Sequence, residues 1–121
     1  MNNRRFLIVL MASFFCAVGL SHAQDAVAVS PEAYTILFEN DDIRVMELTY
    51  QPGERDAPHS HPKYMGLVLE AGTLRVHPDE GESEDIVFQR GQTLIFDPVK
   101  RHWTENVGDT VFRAVLVEYK Q

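Results

Sequence analysis

Turn residues interrupt this chain so often that a long helix has no room to form. Asn40-Asp41-Asp42, Pro52-Gly53, Ala71-Gly72, the acidic stretch around Gly81, Gly91, Asp97-Pro98 and Gly108-Asp109 recur at spacings of about 8 to 12 residues. Between them lie short apolar or alternating runs at 34–38, 43–50, 64–69, 73–77, 86–89, 93–96, 102–106 and 110–119. None of these runs holds a 3.6-residue period with caps at its ends, and no internal repeat is present. Many short strands divided by Gly and Pro turns predict an all-β sandwich or barrel in a single domain. Ala71-Gly72 predicts a tight hairpin between its flanking strands. The last run is apolar on both faces around Val111 to Val117, which predicts a central strand covered on both sides.

The N-terminus reads as a separate unit. Asn2 to Arg5 are positive, Phe6 to Leu20 are almost wholly apolar, and Ser21-His22-Ala23 places small residues as a signal peptidase requires. The apolar run is shorter than the ~20 residues a spanning helix needs. A cleaved secretory leader over 1–23 is therefore expected, the alternative being an uncleaved anchor. Cleavage delivers the protein to the periplasm or the medium with no stable membrane anchor. It leaves 98 residues, expected as a loose arm over 24–33 and one domain over 34–121. The only cysteine, Cys16, lies in the leader, so the remainder has no disulfide. So small a domain gains burial by pairing, and a homodimer is expected. All 18 acidic residues but only nine of the 11 basic ones follow the leader, giving a net charge near −9. Such a surface repels nucleic acid.

Chemistry concentrates in His59-Ser60-His61, where two imidazoles at i and i+2 leave one face of an extended strand. Two neutral nitrogen donors on one face form half of a site for a first-row divalent metal. His102 is the third candidate, brought back to the pair if the sheet folds over on itself. Standing alone, the pair reads more readily as ordinary polar residues of a Pro-rich loop. His77 falls on a polar strand face and is left out of the site. Trp103 and Glu105 have the opposite parity to His102. Arg55 and Lys63 either draw in a carboxylate ligand or are simply solvated. No further acid or base is evident beside the histidines.

Gly53, His59, His61 and Gly72, followed by Gly91, His102 and Asn106, resemble the two signatures of the cupins. In both halves the spacing agrees: Gly72 lies eleven residues after His61, His102 eleven after Gly91, and Asn106 four further. The resemblance implies an antiparallel β-barrel of the double-stranded β-helix or jelly-roll type, with the histidines directed into its mouth. It also implies one divalent cation (Fe, Mn, Ni, Zn or Cu) on His59, His61 and His102, and a small-molecule ligand. Met65 stands where the family usually carries a glutamate ligand, and Asp97 and Val99 stand where it usually has proline and glycine. Counting by twos from His59 gives His61, Lys63 and Met65, so Lys63 and Met65 are expected on the cavity wall, while Glu70 has the opposite parity. Asn106 reads as a turn former. The expected function is an exported metal-binding cupin, in its enzymatic form a dioxygenase-like or isomerase-like catalyst. The alternative is a non-catalytic cupin that binds a small molecule or serves as a structural subunit without metal.

Overall fold

A computed structural model describes residues 24–121, and the expected leader over 1–23 lies outside them. A four-residue helical turn, α1 (Ala26–Val29), precedes nine strands. These are β1 (Tyr34–Glu39), β2 (Ile43–Tyr50), β3 (His59–His61), β4 (Tyr64–Glu70), β5 (Gly72–Pro78), β6 (Glu84–Phe88), β7 (Thr93–Phe96), β8 (Val99–Asn106) and β9 (Phe112–Tyr119). They form a five-stranded sheet in the order β1-β2-β9-β4-β7 and a four-stranded sheet in the order β3-β8-β5-β6. Every strand pair is antiparallel. The predicted all-β barrel is thus the fold observed.

Alternation along the strands builds the interior. Met46, Leu48 and Tyr50 of β2, and Phe112, Ala114 and Leu116 of β9, are buried, as are Leu74 and Phe88 from the other sheet. Strand β9 is central, paired with β2 on one side and β4 on the other. Its second face is only half covered, however, since Arg113, Val115 and Val117 are intermediate in burial.

The predicted hairpin at Ala71-Gly72 is not one. β4 pairs with β7 and β9, whereas β5 pairs with β6 and β8, so the chain changes sheets at this corner. Gly72 passes so close to β9 that a Cβ there would lie 3.2 Å from the Phe112 Cβ. The corner needs a glycine for proximity rather than for a turn dihedral. Gly53 and Gly91 do occupy turns at positive φ, 81° and 80°.

The expected loose arm is also corrected. Ala26, Ser30 and Ala33 are buried, the Ala57 amide donates to Ser30 Oγ at 2.7 Å, and Asp25 is paired with Arg44. The small residues that read as loop-like are small because they fit against the barrel. Asn106 likewise exceeds a turn role: its backbone φ is not positive, and its buried amide donates to the Tyr50 and Thr110 carbonyls while its oxygen accepts the Gly108 amide. One side chain therefore joins the ends of β2 and β8 to the turn before β9.

Candidate metal centre

Strand β3 lies at the edge of the four-stranded sheet and pairs with β8, with His59 directly opposite His102. Cross-strand pairing thus joins residues 43 positions apart in the chain. His61 follows on the same face, beyond a register shift. All three rings are buried, and they can each offer one nitrogen such that the three atoms lie within 4.8 Å of one another. The ring centroids of His59 and His102 are 4.6 Å apart, and those of His59 and His61 are 4.7 Å apart.

The second nitrogen of each ring decides what the first can do. His59 Nδ1 lies 2.7 Å from the Ala57 carbonyl and His102 Nδ1 lies 2.8 Å from the Lys100 carbonyl. His61 Nδ1 lies 2.8 Å from Glu118 Oε1. A carbonyl or carboxylate oxygen only accepts, so each Nδ1 must carry the proton and donate it. On a neutral ring each Nε2 is then a bare lone pair. Two of these, on His59 and His61, face each other at 3.0 Å with no proton assigned between them. Between neutral rings that contact is repulsive, and it is relieved either by a proton shared between the two nitrogens or by a metal ion among the rings. A separation of about 3 Å is what two nitrogens about 2.1 Å from one ion subtend at a right angle. The residues present therefore fit a divalent ion.

Burial reinforces the choice. It holds the imidazoles of His59 and His102 below their ordinary pKa, with neighbouring imidazoles adding to the effect, so the neutral form needed for ligation is favoured.

Behind the rings lies a polar support that the sequence reading missed. Glu118, 3% exposed, is held by Arg44, whose Nε and Nη2 donate to Oε2 at 3.0 and 2.6 Å, and Arg44 is held in turn by Asp25. On the other side Asp56 Oδ1 accepts the Thr104 amide at 2.7 Å, and its Oδ2 accepts the Tyr34 hydroxyl at 3.0 Å and the Tyr50 hydroxyl. The Tyr34 oxygen also lies 3.3 Å from His59 Nε2. Burial, with the Asp56 carboxylate adding to it, pushes the Tyr34 hydroxyl well above the usual tyrosine pKa. Glu118 was legible in principle, because it has the parity of the buried Phe112, Ala114 and Leu116 in β9. Asp56 and Tyr34 give no such signal, since one sits in a loop and the other begins a strand whose remaining residues are exposed.

The rings open on a cavity of about 250 Å³ between the sheets, with His61 and His102 in its wall. Lys63 and Met65, expected there, are not among its lining residues; Tyr64, Gly66 and Val68 take that face. Counting by twos fails because β3 and β4 belong to different sheets, and the crossing at Pro62-Lys63 resets the alternation. Met65 instead pairs across strands with Ile95 and Val117 on the outer face, and Lys63 is exposed. Glu70 also points outward, opposite Arg113 and beyond a register shift. His77 stacks on Trp103 at 3.7 Å and bonds Glu105 at 2.8 Å, away from the cluster, and Arg55 lies over the same indole.

The cupin-domain profile matches residues 46–118, more than half of the chain. The fold is similar to a cupin domain from Bordetella pertussis Tohama I, at 27% identity and a TM-score of 0.68 over 73% of this chain and 92% of that one. It is also similar to an uncharacterized conserved protein with a double-stranded beta-helix domain from Klebsiella pneumoniae. There the identity is 25% and the TM-score 0.57, over 71% of this chain and 74% of that one. A likeness of fold alone extends to the polyketide cyclase RemF from Streptomyces resistomycificus, at 19% identity and a TM-score of 0.55 over 73% and 64% of the two chains. No curated protein matches the sequence. Both the profile match and the barrel with its three-histidine cluster lead to one assignment: the chain belongs to the cupin family.

Proposed function

We propose that this cupin holds one divalent metal ion on the Nε2 atoms of His59, His61 and His102 and binds a small molecule beside it in the barrel cavity. The observation that carries the reading is the oxygen acceptor behind each ring's Nδ1, which leaves the Nε2 atoms of the neutral rings available to one ion. A divalent ion supplies Lewis-acid chemistry there, or oxygen chemistry if it is redox-active. The neutral imidazoles leave its charge uncompensated, which favours a ligand with an oxygen head group. Tyr34 holds a hydroxyl at the edge of the cluster whose proton goes to Asp56, so its oxygen is left only to accept. The catalytic form of this reading is a dioxygenase-like or isomerase-like enzyme. Export through the leader at 1–23 belongs to the same proposal.

A second reading, a non-catalytic small-molecule-binding or structural cupin without metal, is favoured by one feature: among the described residues, none lining the cavity is Asp, Glu, Lys or Arg. Elemental analysis of untagged protein purified without chelator, beside a His59→Ala/His102→Ala variant, separates the readings. Near-stoichiometric iron, manganese, nickel, zinc or copper that is lost in the variant supports the metal site. Absence of metal in both, with failure to reconstitute, refutes it and leaves metal-free binding.

A further inference from the structure

The cavity is chemically one-sided. Its polar groups are few: the imidazoles of His61 and His102, the hydroxyls of Tyr64 and Thr104, and the hydroxyls of Tyr34 and Tyr50, which are already engaged with Asp56. Most of the remaining wall is hydrocarbon, including Leu48, Val68, Leu74, Phe88, Phe96 and Leu116 drawn from both sheets. A ligand with a second charge, or with more hydroxyls than Tyr64 and Thr104 can pair, would bury groups that this wall leaves without partners, and would lose affinity for each. Size adds a bound. An apolar cavity of about 150 Å³ accommodates benzene, and this one is about 250 Å³. One ring with a short apolar extension fills such a space.

The approach carries its own filter. A second pocket shares Val76, Ile86, Val99 and His102 with the inner cavity. Asp79, Glu80, Glu82 and Glu84 line it, against Lys100 and Arg101 alone, and Arg101 is already paired with Asp79. Acidic side chains next to the cavity, on an acidic protein, disfavour the approach of anions from that side.

We propose that the barrel selects an uncharged, largely apolar molecule the size of one substituted ring, presenting a single oxygen head group to the His61–His102 end. The proposal rests on the metal reading above for the head group and on the cavity wall for the body. It excludes sugars, free amino acids and dicarboxylates as ligands.

The test compares hydroxamic acids, which share a metal-binding head, on zinc-loaded protein by titration calorimetry. Benzohydroxamic acid should bind about 10- to 100-fold more tightly than acetohydroxamic acid, the gain expected for burying a ring. 4-Carboxybenzohydroxamic acid should lose most of that gain. Leu94→Trp, which places an indole in the cavity from β7, should bring benzohydroxamate down to the acetohydroxamate level. Full zinc stoichiometry and a cooperative thermal transition show that this variant is folded and loaded. Equal affinities for the three probes overturn the proposed ligand class while leaving the metal site standing. If the protein takes up no zinc, the metal reading fails instead, and toluene decides the apolar part: a raised thermal midpoint in metal-free protein supports it, and no shift overturns it.

Discussion

Glu118 supplies the sharpest test of the site, because it touches the cluster only through His61. Its Oε1 accepts from His61 Nδ1 at 2.8 Å, while Oε2 is clamped by Arg44. A charge-assisted bond of this kind contributes about 1.5–3 kcal/mol. Losing a partner that orients a metal-bound histidine costs about 10- to 100-fold in affinity, which is about 1.4–2.8 kcal/mol. Two substitutions divide that range. Glu118→Gln keeps an oxygen that can accept from Nδ1 but removes its charge, so zinc affinity should fall about tenfold. Glu118→Ala removes the acceptor and frees the tautomer of His61, so the fall should approach a hundredfold. His59 and His102 are held by backbone carbonyls and keep their orientation in both variants. Zinc competition against a chelating dye measures the affinities, and thermal unfolding of chelator-treated protein confirms that the variants fold. If both folded variants bind zinc within twofold of the parent, Glu118 does not orient a ligand and the geometry has been misread.

Three further outcomes are expected. Asn106→Ala leaves the Tyr50 and Thr110 carbonyls without their side-chain donor, and urea unfolding should show a loss of about 1–3 kcal/mol; a loss below a few tenths would mean that water replaces the amide at no cost. The outer row Phe38-Val45-Val117-Met65-Ile95 crosses the whole five-stranded sheet in register, with Phe38 and Ile95 exposed, and is the face we propose for the homodimer. Light scattering should then give a dimer that Met65→Glu dissociates, and a parent that is monomeric at micromolar concentration rules the face out. Partial burial alone would raise the Asp25 carboxyl, but Arg44 outweighs it and holds the pKa below the usual value of 3.8. The pair therefore contributes stability above about pH 4 that is lost as pH falls further. Metal-free Asp25→Asn should start less stable and lose less between pH 5 and 3, and curves that run parallel to the parent's would contradict this assignment.

Strand content, the all-β class and the three histidines could be read from the sequence because each depends on local chemistry. Turn residues punctuate the runs at strand spacing, and an i, i+2 pair shares a face in any extended segment. Where the chain leaves one sheet for the other, local periodicity carries no information. The crossing at Pro62-Lys63 shifts the alternation by one, which moved Met65 from the expected cavity wall to the outer face. The change of sheet at Gly72 turned an expected hairpin into a corner. Tertiary structure alone decided the support of the site as well. Glu118 reaches His61 across 57 positions of chain and Asp56 reaches the Thr104 amide across 48, contacts set by how the sheets are laid together. Sequence thus determined which residues can bind an ion, because ligand chemistry belongs to side chains. Only the folded barrel determined which nitrogen each ring presents, because that depends on the partner behind it.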